Sequence, residues 1–319
     1  AALRVKVSTP VILTTEPAKA LNAEMLNLSE GGLGVLIDLK AQLISPLLIE
    51  FPALNTPIRF KGEVVWSKIF NNERSYFGIR FLDKNESHDS ALKGFLYTKD
   101  EYISQLIESL PKTKIEIFEK IEIFFKRDVK LYIENLIKLE ETLKDKSMIE
   151  DEIFEKLTNI TDNIVKKGDE LEAQIEKGML TKKIRDTFRS LTGNWVLKSK
   201  MMHRGFTKPH GYRGDYILME MIYNNKPISD GLGIYFDKYF LNNPYSIAVR
   251  GRRKKISELI RNNLQGINLP SINVLNLGCG SCPEIKDLFD SFHPNNNLNF
   301  TCIDFDQAAL DASKERLKS

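Results

Sequence analysis

The chain has 319 residues, 42% apolar and 28% charged, with 46 Lys and Arg against 43 Asp and Glu. A net charge of +3 gives no reason to expect a nucleic-acid polymer as partner, and the length allows two or three domains. There is no run of about 18 apolar residues and no apolar core behind Ala1-Ala-Leu-Arg-Val-Lys, so no transmembrane segment is expected and a cytoplasmic location is.

Residues 1 to about 95 read as strands. Short β-rich runs at 5–7, 11–13, 25–26, 33–37, 47–51, 58–66 and 76–81 are separated by Pro, Gly, Asn and Glu-Gly, the pattern of one small barrel or sandwich. Between two apolar runs stands Asn27-Leu-Ser29-Glu-Gly31-Gly32, and Arg4 directly precedes the alternating Val5-Lys-Val7. Such a turn presents short polar side chains, glycine lets a backbone come close, and arginine offers a planar fork for phosphate or a guanine edge. An ordinary hairpin turn is the competing reading. Together with Gly62-Glu-Val-Val-Trp66 and Tyr76-Phe-Gly-Ile-Arg-Phe-Leu82, the segment resembles the PilZ family of small β-barrels that bind cyclic di-GMP. The resemblance implies a PilZ domain over residues 1–96. It makes Arg4 the second arginine of the family's R-x-x-x-R, with Asn27, Ser29, Gly31 and Gly32 completing the cyclic di-GMP site.

From 97 to 192 the composition turns to Lys, Glu, Ile and Leu. Phe118, Ile121, Phe125, Tyr132, Leu136, Leu139 and Leu143 recur at helical spacing, as do Ile149, Ile153, Leu157, Ile160, Ile164, Leu171 and Ile175. The pattern predicts two long amphipathic helices, a helical stalk folded as an antiparallel hairpin with Asp145 or Ser147 capping the second helix. Packing within one chain and packing between two copies are both open. A homodimer joined through residues 115–175 is the expectation.

Residues 193–319 are mixed and rich in aromatics up to Tyr245, which suits either core packing or a lid. The run Arg250-Gly-Arg252-Arg253-Lys254-Lys255 reads as a solvated helix face. Val274-Leu-Asn276-Leu-Gly278-Cys-Gly280-Ser-Cys-Pro-Glu284 then gives an apolar strand, a Gly-x-Gly turn and a helix start, and 299–303 gives a second strand ending at Asp304. A turn without side chains admits a nucleotide's backbone, and an acid at a strand's carboxyl end can accept hydrogen bonds from a ribose diol. Asp306 reads as the cap of the helix that follows. A dinucleotide site fits less well, because Pro283 stands where G-x-G-x-x-G has its third glycine. Cys279-x-x-Cys282 lacks partners at metal-site spacing, since His293 and Cys302 are poorly placed in sequence, so no metal is expected.

These words resemble the first two motifs of class I S-adenosylmethionine (SAM) methyltransferases. The upstream Lys208-Pro-His-Gly211-Tyr212-Arg-Gly214-Asp215-Tyr216 resembles a bacterial family associated with 3-hydroxy fatty acid methyl esters. The resemblance implies SAM as cofactor, with Gly278, Gly280 and Asp304 around it, and Asn276 where many relatives carry an acid. The expected fold class is therefore multidomain: an N-terminal β-barrel, an α-helical stalk and a C-terminal α/β Rossmann-like methyltransferase domain. That last domain is expected to be incomplete, because the chain stops inside the helix after its second strand. The expected function is a cyclic di-GMP-responsive methyltransferase acting on a small-molecule or lipid acceptor such as a fatty acyl carboxylate, its catalytic residues unassigned. A cyclic di-GMP receptor and scaffold with a non-catalytic methyltransferase-like domain is the alternative, and a nicotinamide-dependent oxidoreductase a third reading.

Overall fold

The computed structural model describes residues 3–15, 19–38, 43, 45–52, 58–69, 73–83, 85–146, 148–265, 267, 269–292 and 297–318. Ser147 and His293, singled out above as a cap and a metal candidate, lie outside them. The chain divides into two compact units, residues 1–195 and 196–319.

The first unit opens with six strands: β1 (Val5–Thr15), β2 (Lys19–Ser29), β3 (Gly32–Asp38), β4 (Leu47–Phe51), β5 (Ile58–Ile69) and β6 (Arg74–Asp83). They close into an antiparallel barrel in the order β1-β2-β3-β6-β5-β4. Strand alternation explains the core: Leu47, Ile49 and Phe51 point inward while Leu48 and Glu50 are partly exposed. Phe60 stacks on Phe81 at 4.5 Å with Phe51 edge-on to both, and burying each such ring contributes roughly 1.5–3 kcal/mol. The two runs expected at 5–7 and 11–13 form one strand, β1, with a register shift between Lys6 and Thr9.

Helices follow. Residues expected at the end of the strand-rich segment instead form α1 (Glu86–Tyr97), whose Leu92 and Leu96, one helical turn apart, are fully buried. After α2 (Asp100–Glu108) comes a rod of α3 (Ile115–Ile123), a π-helical segment at Phe124–Val129 and α4 (Lys130–Asp145). Then come α5 (Glu150–Glu172) and α6 (Met179–Val196), so three long helical pieces stand where two were expected. Asp145 ends α4 rather than capping α5. The α5 N-cap is Ile149, and the acids Glu150, Asp151 and Glu152 meet the positive helix end instead. Ile121, Phe125, Tyr132, Leu136 and Leu139 of the first predicted stripe, Ile153, Leu157, Ile164 and Leu171 of the second, and a third stripe, Ile184, Leu191 and Trp195, are buried within this unit, with Phe188 stacked on Tyr132, whereas Ile149 is exposed.

The second unit contains α7 (Lys200–Thr207), α8 (Tyr216–Asn224), α9 (Leu232–Asn242) and α10 (Pro244–Gln265). They precede β7 (Ser271–Leu277), α11 (Pro283–Ser291), β8 (Asn297–Ile303) and α12 (Gln307–Lys318). β7 and β8 pair in parallel, Leu277 beside Ile303, with α11 as the crossover. Asp215 caps α8 by accepting from Leu218 N–H at 3.0 Å and also accepts from Arg204 Nε at 2.8 Å. On β7 and β8, Leu275, Leu277 and Ile303 are half or more exposed.

Candidate functional sites

At the barrel rim the β2–β3 hairpin turns through Glu30 and Gly31, pairing Ser29 with Gly32. Arg4 is exposed, and its Nη1 donates to Asn27 Oδ1 at 2.9 Å. Asn27 Nδ2 donates in turn to the Tyr76 hydroxyl, whose ring meets Trp66 edge-on at 4.8 Å. A Cβ on Gly31 would meet nothing, so space is open above the turn. The two other predicted residues serve the barrel itself. Ser29 is buried and its hydroxyl donates to Gly32 C=O at 3.0 Å, while a Cβ on Gly32 would stand 2.1 Å from Ile79 O. Thus Arg4, Asn27 and Gly31 form the accessible surface, and Ser29 and Gly32 fix the turn beneath it.

Sequence reasoning passed over Glu30. Its Oε1 accepts from Tyr97 Oη at 3.1 Å and Tyr102 Oη at 2.7 Å, and the backbone nearby is tied the same way. Lys6 N–H donates to Glu101 at 3.0 Å and Gln105 Nε2 donates to Arg4 C=O at 2.8 Å. Burial, reinforced by Glu30, pushes both phenols well above the usual tyrosine range. Among the described residues one of Arg4's five guanidinium donors is spent, on Asn27, so the rim can bind an anion.

In the second unit a cavity of about 750 Å³ is lined by Asn276, Gly278, Gly280, Glu284 and Asp304 together with Tyr212, Tyr216, Tyr223 and Arg252. The four residues expected at a nucleotide site therefore come together. Gly278 and Gly280 have φ of +66° and +55°, a region side chains disfavour. Gly278 N–H and Cys279 N–H both donate to Ile303 C=O, at 2.8 and 3.1 Å, which locks the turn to the end of β8. Asp304 accepts from Gly280 N–H at 2.8 Å and from Asp306 N–H at 2.9 Å, leaving lone pairs on both oxygens. Asn276 Nδ2 donates to Glu284 Oε1 at 3.2 Å, so an acid stands beside this amide.

Asp306 caps α12 as expected, accepting from Ala308 N–H at 3.0 Å, but it also receives His210 Nδ1 and Tyr212 Oη, each at 2.8 Å. Burial pushes the Asp306 carboxyl up, and these three donors outweigh it and hold it below its usual range. Burial and the same bond push the Tyr212 phenol up to about 12. The basic run of α10 is more than a solvated face. Arg253 makes a bidentate pair with Asp287, at 2.6 Å twice, and lines a second cavity of about 500 Å³ with Arg250, Lys254 and Arg261.

The cysteines also depart from expectation. Parallel pairing returns Cys302 to the exit of β7, and the sulfurs of Cys279, Cys282 and Cys302 all lie within 4.8 Å of one another. Burial holds Cys279 and Cys282 above the usual thiol range.

A family model described as PilZ domain matches residues 1–98. Comparison with curated proteins gives no match. Among solved structures, the chain is similar to Escherichia coli YcgR in complex with cyclic di-GMP, at 15% identity and a TM-score of 0.25, covering 30% of this chain and 44% of that one. It is similar to the PilZ domain of CeSA from a cellulose-synthesising bacterium, at 18% identity and a TM-score of 0.23, covering 28% and 91%. It is also similar to the PilZ domain of E. coli YcgR with cyclic di-GMP, at 14% identity and a TM-score of 0.27, covering 34% and 97%. With the family match, the closed six-stranded barrel and the Asn27–Gly32 turn at its rim, residues 1–98 of this chain form a PilZ domain, and a helical region follows it.

Proposed function

We propose that this chain is a cyclic di-GMP receptor whose second unit is part of a SAM-dependent methyltransferase, and that cyclic di-GMP governs the methyltransferase. The receptor half rests on one observation: an exposed Arg4 guanidinium held beside Asn27 at the rim of a PilZ barrel, with open space above Gly31. A dianionic ligand with two guanines suits a cation with unspent donors and an amide that accepts and donates. The methyltransferase half is supported by the cavity in which Asp304, Gly278, Gly280 and Asn276 meet. SAM, when bound, supplies the methyl group. In this reading Asp304 uses its remaining lone pairs for the ribose hydroxyls, and the acid pair-mate of Asn276, Glu284, faces the methionine ammonium. Arg252, which makes no ion pair among the described residues, lines the same cavity and suits an acceptor that carries a carboxylate, such as a fatty acid. We place the protein in the cytoplasm and as a homodimer through residues 115–175 on the same footing, with Ile115, Ile123, Leu131, Ile149 and Val165 as exposed apolar positions for a second copy.

Calorimetry on the full-length protein tests both halves: cyclic di-GMP and SAM should each bind with one site per chain. If cyclic di-GMP alters SAM affinity, SAM must alter cyclic di-GMP affinity by the same factor. No heat with cyclic di-GMP removes the receptor, and no heat with SAM removes the enzyme. The exposed Leu275, Leu277 and Ile303 favour a second reading, a receptor whose C-terminal unit is a scaffold for another protein, which binds cyclic di-GMP and ignores SAM.

A further inference from the structure

The chain has three cysteines, and all three meet in one place although they come from different elements. Cys279 sits in the Gly-x-Gly turn, Cys282 is the N-cap of α11, and Cys302 lies on β8 opposite Asn276. Cys279 is 5% exposed and Cys282 0%, with Ile285, Phe300 and Leu310 packed around them. Cys282 also holds a left-handed backbone, φ +52°, which costs a residue with a side chain on the order of 1–3 kcal/mol. Filling a small apolar gap requires neither the convergence of every thiol in the chain nor that strain.

The geometry suits a thiophilic ion. Three thiolates about 2.3 Å from a tetrahedral zinc ion stand roughly 3.8 Å apart, and the observed limit of 4.8 Å needs only small side-chain rotations to reach it. The N-terminal end of α11 offers positive potential to a charged Cys282 sulfur. No His, Asp or Glu joins the three among the described residues, which leaves one coordination position open. Cys279 also lines the 750 Å³ cavity, the route by which a fourth ligand would approach.

We propose that Cys279, Cys282 and Cys302 bind a zinc ion through three thiolates, with the fourth position taken by water or by a ligand entering from the cavity. Binding exchanges three S–H protons, released to solvent, for three Zn–S bonds, and no electrons are transferred. The ion ties the turn after β7, the start of α11 and β8 together. This site stands whether or not the cavity takes SAM.

The test uses the full chain, reduced and handled without oxygen, titrated with zinc and separately with cobalt(II). One zinc per chain is expected. Cobalt(II) should give the visible bands of a tetrahedral ion and a charge-transfer band whose intensity counts three thiolates. Cys282→Ser and Cys302→Ser should each weaken zinc binding about 100-fold or more, since even second-shell losses reach about 100-fold. The cobalt spectrum is read on the unaltered chain, so a variant that misfolds does not decide the matter. No zinc uptake at micromolar ion, a cobalt spectrum without thiolate bands, or serine variants that bind zinc like the parent would each overturn the proposal.

Discussion

Replacing Arg4 by alanine is the sharpest perturbation of the cyclic di-GMP reading, because the side chain contributes little to the fold and much to the proposed site. Among the described residues its side chain makes one hydrogen bond, 2.9 Å to Asn27 Oδ1, which is exposed, and the bond that holds its backbone, from Gln105, survives the substitution. The melting temperature should therefore stay near that of the parent. The ligand loses at least one charge-assisted hydrogen bond worth about 1.5–3 kcal/mol, which is a roughly 10- to 150-fold rise in Kd. Arg4→Lys should fall between, since it keeps the charge and loses the planar fork. Added salt should weaken the parent more than Arg4→Ala, because part of the lost term is screened attraction to phosphate. Isothermal calorimetry with cyclic di-GMP reads all three proteins. A Kd for Arg4→Ala within about threefold of the parent, a difference under 1 kcal/mol, in a protein of unchanged melting temperature would refute the placement of the ligand at this rim.

Ser29→Ala should act through stability, lowering it by about 1–2 kcal/mol in urea titrations, because the buried Gly32 carbonyl loses its hydroxyl donor. A fully stable Ser29→Ala protein would contradict that. Asp304→Ala should abolish measurable SAM binding, whereas Asp306→Ala should first lower the melting temperature. Asp306 holds the α12 cap, His210 and Tyr212, and calorimetry beside thermal melts distinguishes the two variants. Stability should decline in alkali. Tyr97, Tyr102 and Tyr132 have phenols raised above the ordinary value of about 10, so their contribution is complete below pH 10 and is lost as pH climbs toward their folded values. Urea midpoints that stay flat between about pH 9 and 11 would count against this.

The barrel was readable because period-two alternation and Gly, Pro and Asn breaks are local signals, and the β7–turn–α11–β8 unit because Gly278, Gly280, Pro283 and Asp304 each mark an element boundary. Helix α1 was hidden by its short length directly after six strands, its buried apolar side chains Leu92, Leu96 and Tyr97 all falling in its second half. Helix α6 carried its own signal in Ile184, Phe188, Leu191 and Trp195, spaced four, three and four residues apart, and was missed as a separate element. What local pattern does not carry is contact between distant segments. The inward burial of Ser29 follows from the barrel's closure, and Glu30 meets its two phenols only once α1 and α2 are in place. Cys302 joins its partners through parallel register, and His210 and Tyr212 reach Asp306 through the packing of the second unit. The exposed Gly31 stands between the turn-holding Ser29 and Gly32 in the sequence, and only the closed barrel separates the two roles.

The hydrogen bonds around Glu30 bear on where this protein can be cut. The family match stops at residue 98, yet Glu101, Tyr102 and Gln105 hold the rim from beyond that point. A fragment ending at 98 keeps the Tyr97 bond and gives up the other three, freeing the Arg4 carbonyl and the Lys6 N–H to water and leaving the Glu30 carboxylate half satisfied. Cyclic di-GMP titrated into such a fragment would meet an Arg4 on a differently held strand. The smallest piece that preserves the native rim extends through α2, to Glu108.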